Sequence, residues 1–86
     1  MSYEVIISKR AAKEIKDLPR QEIPRIFQKI KSLGEDPRPP GCKKLSGKEE
    51  ELYRIRSGNY RVVYSIDDVV KIVDVREVGD RKEIYK

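Results

Sequence analysis

The chain has 86 residues, enough for one domain spanning residues 1–86 and not for two. Twenty Lys and Arg against fifteen Asp and Glu leave a net charge of +5. A single cysteine and no histidine exclude a common structural zinc site and any serine–histidine or cysteine–histidine catalysis.

Residues 3–7 (YEVII) are β-branched and aromatic and read as a strand. Ser8 stands where an N-cap belongs. Ala11, Ala12, Ile15 and Leu18 then recur at helical spacing until Pro19 stops the helix. A second helix is predicted over about residues 20–33, with Ile23, Ile26, Phe27, Ile30 and Leu33 as one apolar stripe and Gly34 as its stop. Pro24 removes a hydrogen bond early in that helix, so it either starts late or is kinked there. The proline- and glycine-rich residues 34–48 read as a loop. Three strands follow, over 51–56, 60–66 and 69–78, separated by turns at Ser57-Gly58-Asn59 and Asp67-Asp68; Gly79 ends the last one. The predicted fold is α+β: an antiparallel sheet with an N-terminal strand, a helical hairpin packed on one face, and a C-terminal β-meander. Such a hairpin covers one sheet face and leaves the other open to solvent or a ligand.

No stretch approaches the ~20 apolar residues of a membrane span, and the N-terminus lacks the apolar segment of a secretion signal. A lone Cys42, with no histidine to activate it, suits a reducing compartment better than a disulfide or a nucleophile. A cytoplasmic protein without metal or cofactor is expected. Its positive charge favours polyanions and acidic proteins as partners at long range.

Side chains alternate across a strand. Tyr53 and Ile55 therefore point one way, Arg54 and Arg56 the other, and pairing across the short turn brings Arg61 to the same uncovered face. No Asp or Glu occurs from residue 52 to residue 66, so this hairpin supplies no internal ion pair. Three arginines beside Tyr53, Tyr60 and Tyr64 can make a phosphate-binding and base-stacking surface. The plainer alternative is that the arginines pair with Glu49, Glu50, Glu51 or Asp74, or are solvated, and that the tyrosines are core. Spacing alone leaves both open.

Tyr53-Arg54-Ile55-Arg56, Gly58, Tyr60-Arg61-Val62-Val63-Tyr64, Val78-Gly79-Asp80-Arg81 and Ile84-Tyr85 together resemble the RelE/ParE toxin pattern, as does Leu45-Ser46-Gly47 its L-x-G segment. The similarity covers nearly the whole chain. It implies the toxin of a type II toxin–antitoxin system: a ribosome-dependent endoribonuclease that cleaves mRNA in the A site by metal-free attack of a 2′-OH on the adjacent phosphate. On the resemblance, Arg61 stabilises the phosphate, Arg81 protonates the leaving 5′ oxygen, and Tyr85 stacks on or orients the target nucleotide. Arg54 and Arg56 fall where well-known members carry lysines, one of which is assigned to deprotonate the 2′-OH. Lys43, Lys44, Lys48 and Lys82 are the implied contacts to RNA or ribosome. The implied partners are a RelB-like antitoxin, the ribosome and mRNA, with a higher-order toxin–antitoxin complex. A ParE-like inhibitor of DNA gyrase and a non-catalytic RNA-binding module of the same fold are the competing expectations. The chain departs from the pattern in two respects. Arginine stays protonated to above about pH 12, so Arg54 and Arg56 are not ordinary bases. The sequence also stops at Lys86, just past Tyr85, without the C-terminal helix of some relatives, which bears on the placement of Tyr85.

Overall fold

The computed structural model describes residues 2–45 and 51–80. Their elements are β1 (Glu4–Ile7), α1 (Lys9–Lys16), a 3-10 turn (Arg20–Glu22), α2 (Ile23–Ser32), β2 (Lys43–Leu45), β3 (Leu52–Ser57), β4 (Tyr60–Asp67) and β5 (Ile72–Asp80). The α+β class, with two helices on one face of the sheet, is as expected. The described residues form one five-stranded sheet in the order β1-β5-β4-β3-β2. The β3–β4–β5 meander is antiparallel, but β1 runs parallel to β5, with Glu4 opposite Ile72 and Ile7 opposite Val75. The sheet is therefore mixed: the two helices and the meander carry the chain back to β1's side with β5 pointing the same way. Among the described residues no helix is long and apolar enough to cross a membrane.

Ser8 starts α1 as its residue type dictates. Its Oγ accepts from the Ala11 amide at 3.0 Å and donates to the Arg76 carbonyl at 3.1 Å. One side chain thus caps a helix and ties it to β5. Ser8→Ala is expected to lower the unfolding free energy by about 1–2 kcal/mol, read as a lower denaturant midpoint at unchanged slope. Pro24 resolves as the late start: α2 begins at Ile23, so the proline sits in the first turn, where its missing N–H has no partner to lose. The predicted single helix from residue 20 is instead a 3-10 turn followed by α2.

The core lies between the helices and the sheet. Ala11 and Ile15 of α1 and Ile26, Ile30 and Leu33 from α2 and its end pack on Tyr53, Ile55, Val62, Tyr64, Val73, Val75 and Val78. Phe27, expected in the same stripe, is 47% exposed and lies outside it. Gly34 is needed for close approach: a Cβ there would sit 3.0 Å from the Tyr3 carbonyl oxygen, and the Tyr3 amide donates to the Gly34 carbonyl at 2.7 Å.

Two further expectations are corrected. Lys43–Leu45, read as loop, is an edge strand; lysines are common on such edges, where they discourage further strand pairing. Residues 69–71, read as strand, form a turn. Asp67 Oδ1 accepts from the amides of Val69 at 2.9 Å and Val70 at 3.1 Å, and Lys71 adopts φ 61°. At its far end β5 continues through Gly79 to Asp80.

Asp68 in that turn ties three segments together. Arg38 donates to its carboxylate twice, at 3.3 and 3.0 Å, and Tyr3 Oη donates at 2.6 Å. The guanidinium also lies over the Tyr53 ring, 5.2 Å from its centre. The Arg38 hydrogen bonds first, and the Tyr3 hydroxyl next, hold the Asp68 carboxyl down at about 2. Because the folded value lies below the unfolded one, the stabilisation is present above about pH 4 and is lost as pH falls toward 2. Asp68→Asn is expected to lower the melting temperature at pH 6 and to match the parent near pH 2 when the two are melted across that range.

Candidate nucleic-acid interface

The β3–β4 hairpin fixes the register of the arginines. Gly58 has φ 60°, while Asn59 does not share a positive φ. That is the type II′ geometry, whose twist matches that of paired strands. The turn sets Arg56 directly opposite Arg61 and Arg54 opposite Val63. Directly paired residues share a sheet face with Cα atoms about 5 Å apart, so the three guanidinium side chains leave from one face. β2 adds Lys43 opposite Arg54, and β5 adds Gly79 opposite Arg61. Gly79 places no side chain beside Arg61.

The end of β5 is held by an unexpected residue. β1 stops opposite Val75, which would leave later β5 amides without a strand partner. Glu14 of α1 takes over: its Oε1 accepts from the Val78 amide at 2.9 Å. A helix carboxylate thereby fixes the segment that runs past Arg61.

Of the acids proposed as partners for the arginines, Glu49 and Glu50 lie outside the described residues, and the other two have partners of their own. Glu51 pairs with Lys44 at 2.9 Å, and Asp74 with Arg76 at 2.9 Å. Glu77, on the arginine face opposite Val63, binds Arg10 at 2.9 Å. Among the described residues Arg54 has no carboxylate partner, and its Nε is buried without a hydrogen bond.

The face is less open than expected. Arg56 is exposed, but Arg54 is only 5% and Arg61 2% exposed. β4 is the middle strand and β3 adjoins it, so long stems there lie among neighbours on both sides. Desolvating a guanidinium without a carboxylate costs stability, and an anion arriving at Arg54 restores what burial removed.

The tyrosines of the hairpin are scaffold. Tyr53 and Tyr64 stack with ring centres 6.0 Å apart on the helix side of the sheet, and Tyr60 packs against the same core. Tyr64 Oη donates to the Pro37 carbonyl at 2.7 Å and lies 3.2 Å from Cys42 Sγ, whose thiol can donate to it. Burial first, then the Cys42 contact, pushes the Tyr64 phenol well above its ordinary range. The base-stacking half of the expected surface is therefore not supplied by Tyr53, Tyr60 or Tyr64.

Lys43 shares the arginine face, whereas Lys44 has the opposite parity, across from Tyr53. Its hydrogen bond to Glu51 raises Lys44 and lowers Glu51. Arg81, Tyr85, Lys48 and Lys82 lie outside the described residues. Sequence reasoning missed Lys29, which stands in the last turn of α2. It joins Lys43, Arg54 and Arg56 around a cleft of about 310 Å³. No local pattern announces this, because it depends on how α2 lies along the sheet edge.

A family model described as "ParE toxin of type II toxin-antitoxin system, parDE" matches residues 5–85. The chain belongs to the RelE/ParE family of toxins. Within the family it is RelE-like. It is 35% identical over 91 aligned positions to the protein named "Putative toxin RelE1" from Methanocaldococcus jannaschii, covering 100% of this chain and 98% of that one. The RelE of the RelE–RelB complex from Pyrococcus horikoshii OT3 superposes with a TM-score of 0.82 at 32% identity, covering 94% of this chain and 97% of that one. The isolated RelE toxin of E. coli gives 0.77 at 31% identity, covering 98% and 92%. This RelE/ParE member is thus a toxin of a toxin–antitoxin system, with its arginines gathered on one sheet face.

Proposed function

We propose that this toxin is a ribosome-dependent endoribonuclease that cuts mRNA in the A site. The observation that carries this reading is the grouping of Arg54, Arg56 and Arg61 on one face of neighbouring strands, with Arg54 recessed and without a carboxylate partner among the described residues. In the reaction the 2′ oxygen bonds to phosphorus and the P–O5′ bond breaks. The products are a 2′,3′-cyclic phosphate and a free 5′-OH. Negative charge grows on the non-bridging oxygens, and guanidiniums already in place stabilise it without having to reorganise. Arg61 is assigned the phosphate, Arg81 the proton for the leaving oxygen and Tyr85 the target nucleotide, on the family pattern. Arg54 and Arg56 act as hydrogen-bond donors and not as the base for the 2′-OH, because a guanidinium already carries its proton in this pH range. The 2′ proton then passes to water or to a group on the ribosome. Need for a 2′-OH restricts the substrate to RNA.

A RelB-like antitoxin is the proposed regulator, supported by the solved RelE–RelB complexes of Pyrococcus horikoshii and Methanococcus jannaschii. The net charge of +5 suits an acidic wrapping chain. The toxin would act in the cytoplasm, where ribosomes and mRNA are found.

The test is primer extension on mRNA in programmed ribosomes. A cut within the A-site codon is expected, abolished by a 2′-O-methyl group at the cut nucleotide. The family model's ParE description makes gyrase the rival target. Inhibition of supercoiling with the mRNA left intact would overturn the nuclease reading.

A further inference from the structure

β2 begins at Lys43, opposite Arg54, so Ile55 and Arg56 extend past the start of β2. The chain reaches this point through a tight turn in which the Cys42 amide donates to the Pro39 carbonyl at 3.0 Å and Gly41 takes φ 89°. Between that turn, the C-terminal half of α2 and the edge of β3 lies the cleft of about 310 Å³. It is roughly ten times the ~30 Å³ that one water molecule occupies. Lys29, Lys43, Arg54 and Arg56 line it, and among the described residues no Asp or Glu does. Arg54 gives the site its built character: it is 5% exposed, and its Nε carries a buried N–H with no acceptor among the described residues. Two mobile lysine charges at the rim and a fixed, desolvated guanidinium at the wall are what a phosphate group requires.

The cleft adjoins the position of Arg61 and shares Arg54 and Arg56 with the arginine face. Arg61 lies one strand further in, about 4.8 Å across the sheet, with Arg56 between the two. We propose that the cleft is a second phosphate site, which holds a phosphodiester adjoining the one at Arg61. The RNA strand would then bend around the edge of β3. The inference rests on the nuclease reading for the identity of that strand.

The experiment follows the Arg54 Nε–Hε resonance of the ¹⁵N-labelled full-length toxin. A 2′-O-methyl RNA trinucleotide and, separately, inorganic phosphate are titrated into the parent, Lys29→Gln and Lys43→Gln. The trinucleotide is expected to shift the resonance saturably. Each substitution should weaken its binding on the order of tenfold and flatten the log–log salt dependence by roughly 0.7. An Arg54 resonance unmoved by RNA, or variants that titrate like the parent, would overturn the site. Inorganic phosphate binding as tightly as the trinucleotide would overturn its assignment to an RNA strand. Cleavage on programmed ribosomes, run in parallel, separates the two readings. A parent that cuts mRNA while the cleft gives those negative results removes this inference alone. A parent that does not cut, yet binds RNA in a Lys29-dependent manner, removes the nuclease reading and upholds the cleft.

Discussion

Arg61→Ala is expected to slow single-turnover cleavage of A-site mRNA by about 10²–10³-fold, the effect of deleting one donor aimed at a developing oxyanion. Arg61 has the placement for that size of effect. It stands on the middle strand, opposite Arg56 on one side and the bare Gly79 on the other, and is 2% exposed. A charge so shielded from water acts at a lower effective dielectric than a surface lysine does. Alanine also removes a buried stem, so a lost activity has to be separated from a lost fold. Arg61→Lys does this. It keeps the charge and most of the stem but replaces the rigid fork by a single ammonium. The lysine variant should melt close to the parent, bind the antitoxin as the parent does, and still cut at least tenfold more slowly. Arg81→Ala is expected to give a comparable loss, through the leaving oxygen. Two folded Arg61 variants that cut at the parental rate would remove this residue from the chemistry.

The arginine face was legible because its causes are local. Alternation separates Arg54 and Arg56 from Tyr53 and Ile55, and a short turn built on Gly58 fixes Arg56 against Arg61. What the sequence concealed depends on distant partners. Nothing near residues 4–7 says that β1 will lie parallel to β5, since the pairing follows from the path of two helices and the meander. Lys43–Leu45 is too short and too charged to signal a strand, and becomes one only by hydrogen bonding to β3. At Val69 and Val70 β-branched residues suggested a strand, but the Asp67 carboxylate took their amides first; Val69 is accordingly 90% exposed. Burial of Arg54 and Arg61, the reach of Glu14 to the Val78 amide and the approach of Lys29 to the edge of β3 are tertiary facts of the same kind.

Ile26→Ala is expected to be the most destabilising of the substitutions considered, and Phe27→Ala close to neutral, although the two residues adjoin in the same predicted stripe. The difference is geometric. Residues 23, 26, 30 and 33 climb one side of α2, and a step of one residue turns the side chain by about 100°. Ile26 is 0% exposed and packed in the core, whereas Phe27 is 47% exposed at the margin of that stripe. Truncating a fully buried isoleucine removes its transfer free energy and leaves a cavity, together about 2–5 kcal/mol. A domain of this size shifts by roughly 4–8 °C per kcal/mol, so the melting temperature of Ile26→Ala should fall by about 10 °C or more. Against a total stability on the order of 5–15 kcal/mol, such a loss brings a thin-cored toxin near its threshold for folding. For Phe27→Ala, whose ring already keeps much of its surface in water, a change under about 1 kcal/mol is expected. Thermal melts of the two variants beside the parent decide the point. Equal losses would mean that α2 is rotated on the sheet relative to this packing, which would also move Lys29 away from the cleft at the edge of β3.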